Sequence, residues 1–365
     1  KMSTLQKPVK FPGWGRTKRS GLAHWRSRVN GRIRCAMLNS FVDLRADRNP
    51  KSAQLVFRTT ALVCGLILLF AATMARAGEI NYFRIATGST DGTYFPIGSL
   101  IASAISNPPG SRDCADGGSC GVPGLIAVSR ATEGSVQNVG LIAQGAVESA
   151  LSQADVAYMA FFGLGRFKGD AQFDGLRVIA TLFPELVQLA VRKRSGIYAV
   201  EDLGGKRVSL GARGSGTALD AEVIMAAHGL KIGAYKGMNF DLGESSDRLR
   251  LGKLDAFFII AGAPVPAMMD LAEQANITLL PITGPPAERL RKIYPFFVPA
   301  QLPAGIYRNV GATETLSVGA QWLVSDRLDE GLVYDLTHAL WHPSARRVLD
   351  NGHPGGRLIR LKNAL

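Results

Sequence analysis

From residue 80 onward, short apolar runs alternate with loops rich in Gly, Ser and Thr. Tyr82-Phe83-Arg84-Ile85-Ala86 reads as a strand. Ile97–Ile105 carries apolar positions at helical spacing. The same order returns at Gly124–Val128, a second strand, followed by the polar turn Thr132–Val139. That turn opens a helix through Val136, Val139 and Ile142. Ser152-Gln153-Ala154-Asp155-Val156-Ala157 then leads into a third strand. Residues 80–160 therefore read as β-loop-α, β-loop-α, β, a parallel α/β arrangement in which ligands sit outside the carboxyl ends of the strands.

Leu176–Leu182 and Leu186–Val191 read as two separate strands. Val200–Gly211 begins a fresh strand unit, which passes through Gly214-Ser215-Gly216-Thr217 into a helix carrying Leu219, Val223, Ile224 and Ala227. Gly252–Asp255 is a helix end that runs into a buried strand over Ala256–Gly262. Pro264 and Pro266 break it, and Met268–Ala275 resumes as helix. Leu279–Ile282 is a short strand, Arg289–Tyr294 a basic helical piece and Pro299–Tyr307 a loop returning toward strand. From Ala320 the pattern reads as helix, through Trp322, Leu323 and Leu328 to Leu340.

The loop Ala86–Pro96 lies between a strand and a helix start. The first turn of a helix has unpaired N–H donors, and its dipole favours negative charge there. Gly88 and Gly92 let a ligand approach the backbone, and Thr90, Thr93 and Tyr94 offer hydroxyls. The plainer alternative is an ordinary turn capped by Thr90 or Asp91. Gly214–Thr217 forms a second nest of this kind. It lacks the Lys of a phosphate-binding P-loop, which argues against a nucleotide.

Charge changes the picture only by its location. The 365 residues have a net charge of +13, but residues 1–77 hold 15 Lys and Arg against 2 Asp and Glu, and residues 78–365 hold 27 of each. The neutral body has no electrostatic footprint for a phosphate backbone, which excludes nucleic acid as a partner. The basic leader, the apolar run Ala61–Ala72 and the Ala75-Arg76-Ala77 pattern read as a signal peptide cleaved near Ala77. The apolar run is short for a membrane span. Residues 1–36 read as an over-extended start or a disordered tail, with Met37 a more ordinary beginning.

Export bears on the cysteines. Cys35 and Cys64 fall in the leader. Cys114 and Cys120 share one Pro- and Gly-rich loop and are expected to form a disulfide that pins it. A zinc pair would need two more ligands, and no His lies near in sequence. His338 and His342 are four apart on a helix, but the Glu of a His-Glu-x-x-His metalloprotease site is absent. No metal and no cofactor is expected. There is no Gly-x-Ser-x-Gly elbow and no plausible Cys/His nucleophile pair. Asp91, Glu133 and Asp155 lie near the expected cleft but are dispersed. Binding groups without a nucleophile or base favour a binding protein over an enzyme.

Residues 80–362 resemble the TAXI solute-receptor family of tripartite ATP-independent periplasmic (TRAP) transporters. The matching segments are Ile85–Gly98, Thr132–Asn138 and Gln153-Ala154-Asp155. Further on come Asp202–Val208 with Gly214–Thr217, then Leu254–Phe258 with Gly262-Ala263-Pro264. The resemblance implies an α/β, two-lobed periplasmic binding protein fold, type II-like, with parallel-rich sheets and a central cleft. It implies a small organic anion, glutamate or a dicarboxylate, handed to TRAP membrane permease subunits. Carried onto this chain, the ligand-facing residues are Gly88, Thr90, Gly92, Thr93 and Tyr94, then Ser135, Asn138 and Gln153. Ser215, Gly216 and Thr217 face them from the second lobe. Lobe I is expected at 78–190 with a return over 300–365, and lobe II at 191–299.

Two departures qualify the resemblance. Ser89 and Asp91 stand where the family has glycines around the first Thr, and Asp91 adds negative charge near an anion site. The family's short His-Pro-Gly-Ala-bearing tail is also absent after Gly352-His353-Pro354, so either incomplete packing of the C-terminal helix or a truncated gene is expected. Two rivals stand beside a transport receptor. One is a periplasmic sensory protein. The other is an enzyme on the same fold, whose mark would be a catalytic pair such as Asp91 with Asp155.

Overall fold

The computed structural model describes residues 80–364. The signal peptide expected from the sequence, with its cleavage near Ala77, lies outside the described residues. Among the described residues, twelve strands and nine α-helices follow in order. The chain opens with β1 (Asn81–Ala86), α1 (Tyr94–Ile105), β2 (Ser106–Asn107), β3 (Val122–Pro123) and β4 (Leu125–Arg130). Next are α2 (Ser135–Ala143), β5 (Ser149–Gln153), α3 (Ala154–Phe161) and the long β6 (Leu176–Arg192). The middle of the chain holds β7 (Arg207–Ser209), α4 (Gly216–Ala227), β8 (Lys236–Met238), α5 (Leu242–Arg250) and β9 (Ala256–Ala261). It closes with α6 (Pro266–Gln274), β10 (Ile277–Leu280), α7 (Gly284–Ile293), β11 (Val298–Leu302), β12 (Thr313–Ser325), α8 (Glu330–Trp341) and α9 (Pro343–Gly352).

One ten-stranded sheet runs β4-β1-β5-β12-β6-β9-β7-β8, with β10 added to β6 and β11 to β12. Its two ends are parallel: β4-β1-β5 on one side and β9-β7-β8 on the other. The strands between are antiparallel. This is the α/β, two-lobed fold with a central cleft that the sequence implies, with its parallel pairing confined to the flanks. Two core clusters fill the first lobe, one around Phe83, Ile97 and Trp322 and one around Val139, Val156 and Leu323. Two fill the second, around Val208, Ile224 and Phe258 and around Phe257, Met268 and Tyr307.

Three elements differ from the expectations. The stretch after Gln153 is helix, not strand. The strand ends at Gln153, and Asp155, Val156, Met159 and Ala160 line the buried side of α3. Residues 176–192 form one strand, not two. Pro184 suggests a break because it cannot donate to a ladder. Here it stands opposite Gly319 where the strand passes from one lobe to the other, beside register shifts at Ala320/Gln321 and Trp322/Leu323. The third difference is β12, expected as helix from Ala320. It lies between β5 and β6, so Trp322, Leu323 and Val324 are all buried. A run buried on both faces loses the alternation that marks a strand. Within 299–307, expected as a loop returning toward strand, the strand comes first, as β11 paired to β12.

Cys114 and Cys120 are joined in a disulfide between β2 and β3. The incomplete C-terminal packing is not seen. Leu349, Ile359 and Ala364 enter the first-lobe core, and Thr181 N–H donates to Ala364 O at 2.9 Å.

Trp322 is fully buried, and its indole N–H has no partner among the described residues. Trp322→Ala is expected to cost about 3–5 kcal/mol in urea unfolding. Trp322→Phe, which removes the unpaired N–H and keeps an aromatic ring, should cost clearly less.

Candidate functional site

Three helix N-termini converge on one cavity of about 220 Å³ between the lobes. That is smaller than the sites that take drug-sized molecules. From the first lobe come the starts of α1, after the N-cap Thr93, and of α2, after the N-cap Gly134. From the second comes the start of α4, after the N-cap Ser215. Gly134 has φ 123°, a conformation that favours glycine. A Cβ there would also crowd Ser215 of the other lobe.

The side chains around these helix starts are already engaged. Thr93 Oγ1 donates to Gly262 O across the cleft at 2.6 Å. Ser135 Oγ accepts from Gln153 N–H at 3.1 Å. Ser215 Oγ donates to Ala212 O at 2.7 Å and accepts from Ala218 N–H at 3.0 Å. Thr217 Oγ1 accepts from Ile260 N–H at 3.1 Å. Two further bonds tie the lobes: Gly214 N–H to Glu133 Oε2 at 2.6 Å and Gln137 N–H to Gly214 O at 2.9 Å. What remains for a ligand is mainly backbone. The first-turn N–H groups of Ser135, Val136, Gly216 and Thr217 have no acceptor among the described residues.

Of the residues expected to face a ligand, Gly88, Gly92, Thr93, Tyr94, Ser135, Gln153, Ser215, Gly216 and Thr217 line the cavity. Thr90 and Asn138 do not. Thr90 is exposed and, like Asp91, caps nothing, because the helix starts after Thr93. Asn138 braces the loops behind the site. Its amide donates to Thr87 O at 2.5 Å and Leu151 O at 2.7 Å, and its Oδ1 accepts from Thr132 Oγ1 at 2.7 Å. Asp91 stands outside the cavity, near Gly243 of the second lobe, and its backbone O accepts from Ala267 N–H at 3.3 Å. Asp155 is fully buried and does not line the cavity either. The geometry does not bring Asp91 and Asp155 into it as a pair.

Several lining residues escaped the sequence reading. Phe240, Leu242 and Phe258 supply an apolar wall, and Ser89, Thr132 and Ser245 supply hydroxyls. Glu185 matters most. It is 1% exposed, lines the cavity, and accepts a hydrogen bond from Tyr94 O–H at 2.6 Å. Burial pushes its carboxyl well above the ordinary range, and nearby Asp155 adds to the rise. Burial and then Glu185 push the Tyr94 hydroxyl up as well, so it stays a donor. A lone Glu inside the apolar run Leu182–Leu189 was the signal available. No Lys or Arg lines the cavity, whereas Glu133, Glu185 and Asp241 do. Negative charge on a ligand would be met by N–H groups and helix dipoles rather than by a cation.

A metal is not suited to the histidine pair. The rings of His338 and His342 lie 6.3 Å apart, and His342 caps α9. The fold brings His342 beside Cys114 and Cys120, but both sulfurs are used in the disulfide and offer no thiolate.

Gly216 is the point of tightest approach, since a Cβ there would overlap Gln153 Oε1. Gly216→Ala is therefore expected to hold the lobes apart, enlarging the radius of gyration in small-angle scattering at unchanged secondary structure. A scattering curve identical to wild type would contradict this contact.

Three solved structures share the broad outline. The alkanesulfonate-binding protein SsuA from Xanthomonas axonopodis pv. citri bound to MOPS is 14% identical, with 74% of each chain covered and a TM-score of 0.44. An ancestral arginine-binding protein bound to arginine is 13% identical, covering 74% of this chain and 96% of that one, at 0.44. PhnD1 from Prochlorococcus marinus in complex with methylphosphonate is 12% identical, covering 74% and 89%, at 0.47. The NMT1-like family matches residues 85–365. The chain belongs to the NMT1-like family.

Proposed function

We propose that this protein is an exported, periplasmic solute receptor. It captures a small organic anion of the glutamate or dicarboxylate type and hands it to the permease of a TRAP transporter. The observation that carries this reading is the meeting of three helix N-termini, from two lobes, on one small cavity. Such termini present N–H donors and a favourable dipole to negative charge. The resemblance to TAXI receptors over residues 80–362 supplies the transporter class. In this reading the expected bounds at 190 and 300 shift to where β6 and β12 cross between the lobes, near Pro184 and Gly319. Val187, Leu189, Leu302, Tyr307 and Val310 pack into the second-lobe cores, and β6 and β12 serve as the hinge. The ligand binds between the lobes, and their closure excludes water and strengthens each hydrogen bond to it. The cavity residues Gly88, Gly92, Thr93, Tyr94, Ser135, Gln153, Ser215, Gly216 and Thr217 form the ligand contacts in this reading.

A thermal-shift screen against amino acids, dicarboxylates, 2-oxoacids and sugars tests it. A ligand at a hundred times its Kd stabilises the native state by about 2.7 kcal/mol. A shift is expected with an organic acid and should be reduced in Ser215→Ala, which loosens the start of α4. A shift with sugars alone would refute the anion assignment.

A further inference from the structure

Behind the cavity lies a group of carboxyls with no basic partner. Asp155 stands in the first turn of α3, in the first lobe, and Asp220 in α4, in the second. Each is 1% exposed. Asp220 Oδ2 accepts from Gln153 Nε2 across the cleft at 3.0 Å. Neither oxygen of Asp155 has a partner among the described residues. The groups facing the pair come from every side. They are Tyr94 of α1, Gln153 of β5, the Val156 N–H of α3, and Glu185 of β6. No lysine, arginine or histidine is among them. Arg166 and Arg213, with Glu222, belong to a separate outer groove.

Burying an ionised carboxylate without a cation costs several kcal/mol, and two carboxylates sharing one dry site cannot both ionise. Here the two members belong to different lobes, so the shared site exists only while the lobes are in contact. We propose that Asp155 and Asp220 form a proton-binding site completed by lobe closure, so that closing over a solute takes up a proton. The inference rests on reading the cleft as one that opens and closes.

Burial raises both carboxyls, and for Asp220 the Asp155 charge adds to the rise. In the open form both would titrate near the ordinary carboxyl value of about 4. The closed form therefore binds more protons than the open form at neutral pH. By linkage, closure is favoured as pH falls and lost as pH rises toward the elevated values. Each proton taken up changes the open-to-closed ratio by up to about tenfold per pH unit. Below about pH 4 both forms are protonated and the dependence vanishes.

The test is energy transfer between dyes on the full chain in which Cys35→Ser and Cys64→Ser remove the leader thiols, and which carries Tyr334→Cys in the first lobe and Tyr198→Cys in the second, both exposed positions. It is read from pH 5 to 9 and needs no identified ligand. The expected result is a closed population that falls as pH rises. In Asp220→Asn and Asp155→Asn an amide replaces the protonated acid, and the profile should flatten with the closed form kept at pH 9. Either variant suffices where the other does not fold. A wild-type distance that is constant from pH 5 to 9 overturns the proposal. So does a wild-type slope that persists in the Asn variants. A slope abolished by Glu185→Gln alone assigns the proton to Glu185 and also overturns it. Finding no solute would defeat the receptor reading and leave this measurement intact.

Discussion

The pairing of β6 with β12 is the constraint on which the rest of the structure depends. Both strands are long enough to enter both lobes, and they pair along nearly their whole length. Every other strand of the main sheet adds to one end or the other of this pair, directly or through a neighbour. A backbone leaving one core for another must keep its polar groups bonded, and two paired strands do this without a buried loop. The register shifts and the Pro184–Gly319 pairing fall where the ribbon changes cores. Glu185 follows Pro184 directly, which is why a carboxyl ends up lining the cleft.

The site built around this ribbon is unusual in its electrostatics. Its positive character comes from peptide dipoles at three helix starts, and its side chains are acidic or neutral. A helix N-terminus contributes about 0.3–1 kcal/mol toward an anion at the surface and up to about 2 when partly buried. Three together compare with one charged hydrogen bond or two. Such a site has little affinity to spare for offsetting buried negative charge of its own. Glu185, Asp155 and Asp220 are all buried, and no lysine or arginine is among the groups that shift them. The cross-lobe bonds from Thr93, Gln153 and Glu133 are individually modest.

Much of the site was legible because helix starts leave local marks. A glycine-and-hydroxyl cluster after an apolar run signals a strand-to-helix turn, and those at 86–96, 132–139 and 214–217 all line the cavity. Thr90 and Asn138 show the limit of that signal. Both have the right chemistry in the right loop, yet one points to solvent and the other is consumed in bracing Thr87 and Leu151. Direction within a loop is set by neighbours far away in sequence.

The sequence by itself determined the alternation of strands and helices up to Gln153, the neutral composition of residues 78–365 after a basic N-terminal stretch, the pairing of Cys114 with Cys120, and the polar turns that line the cavity. These rest on local propensity, on composition, or on two residues in one loop. Only the tertiary structure decided that 176–192 is one strand through Pro184 and that Trp322 lies in a strand. It alone set Glu185 against Tyr94, and Asp155 and Asp220 into one buried group. Each of these depends on burial from both sides by segments more than thirty residues away in the chain. Where both faces of an element are covered, the hydrophobic pattern no longer carries a period, and the contacts themselves decide.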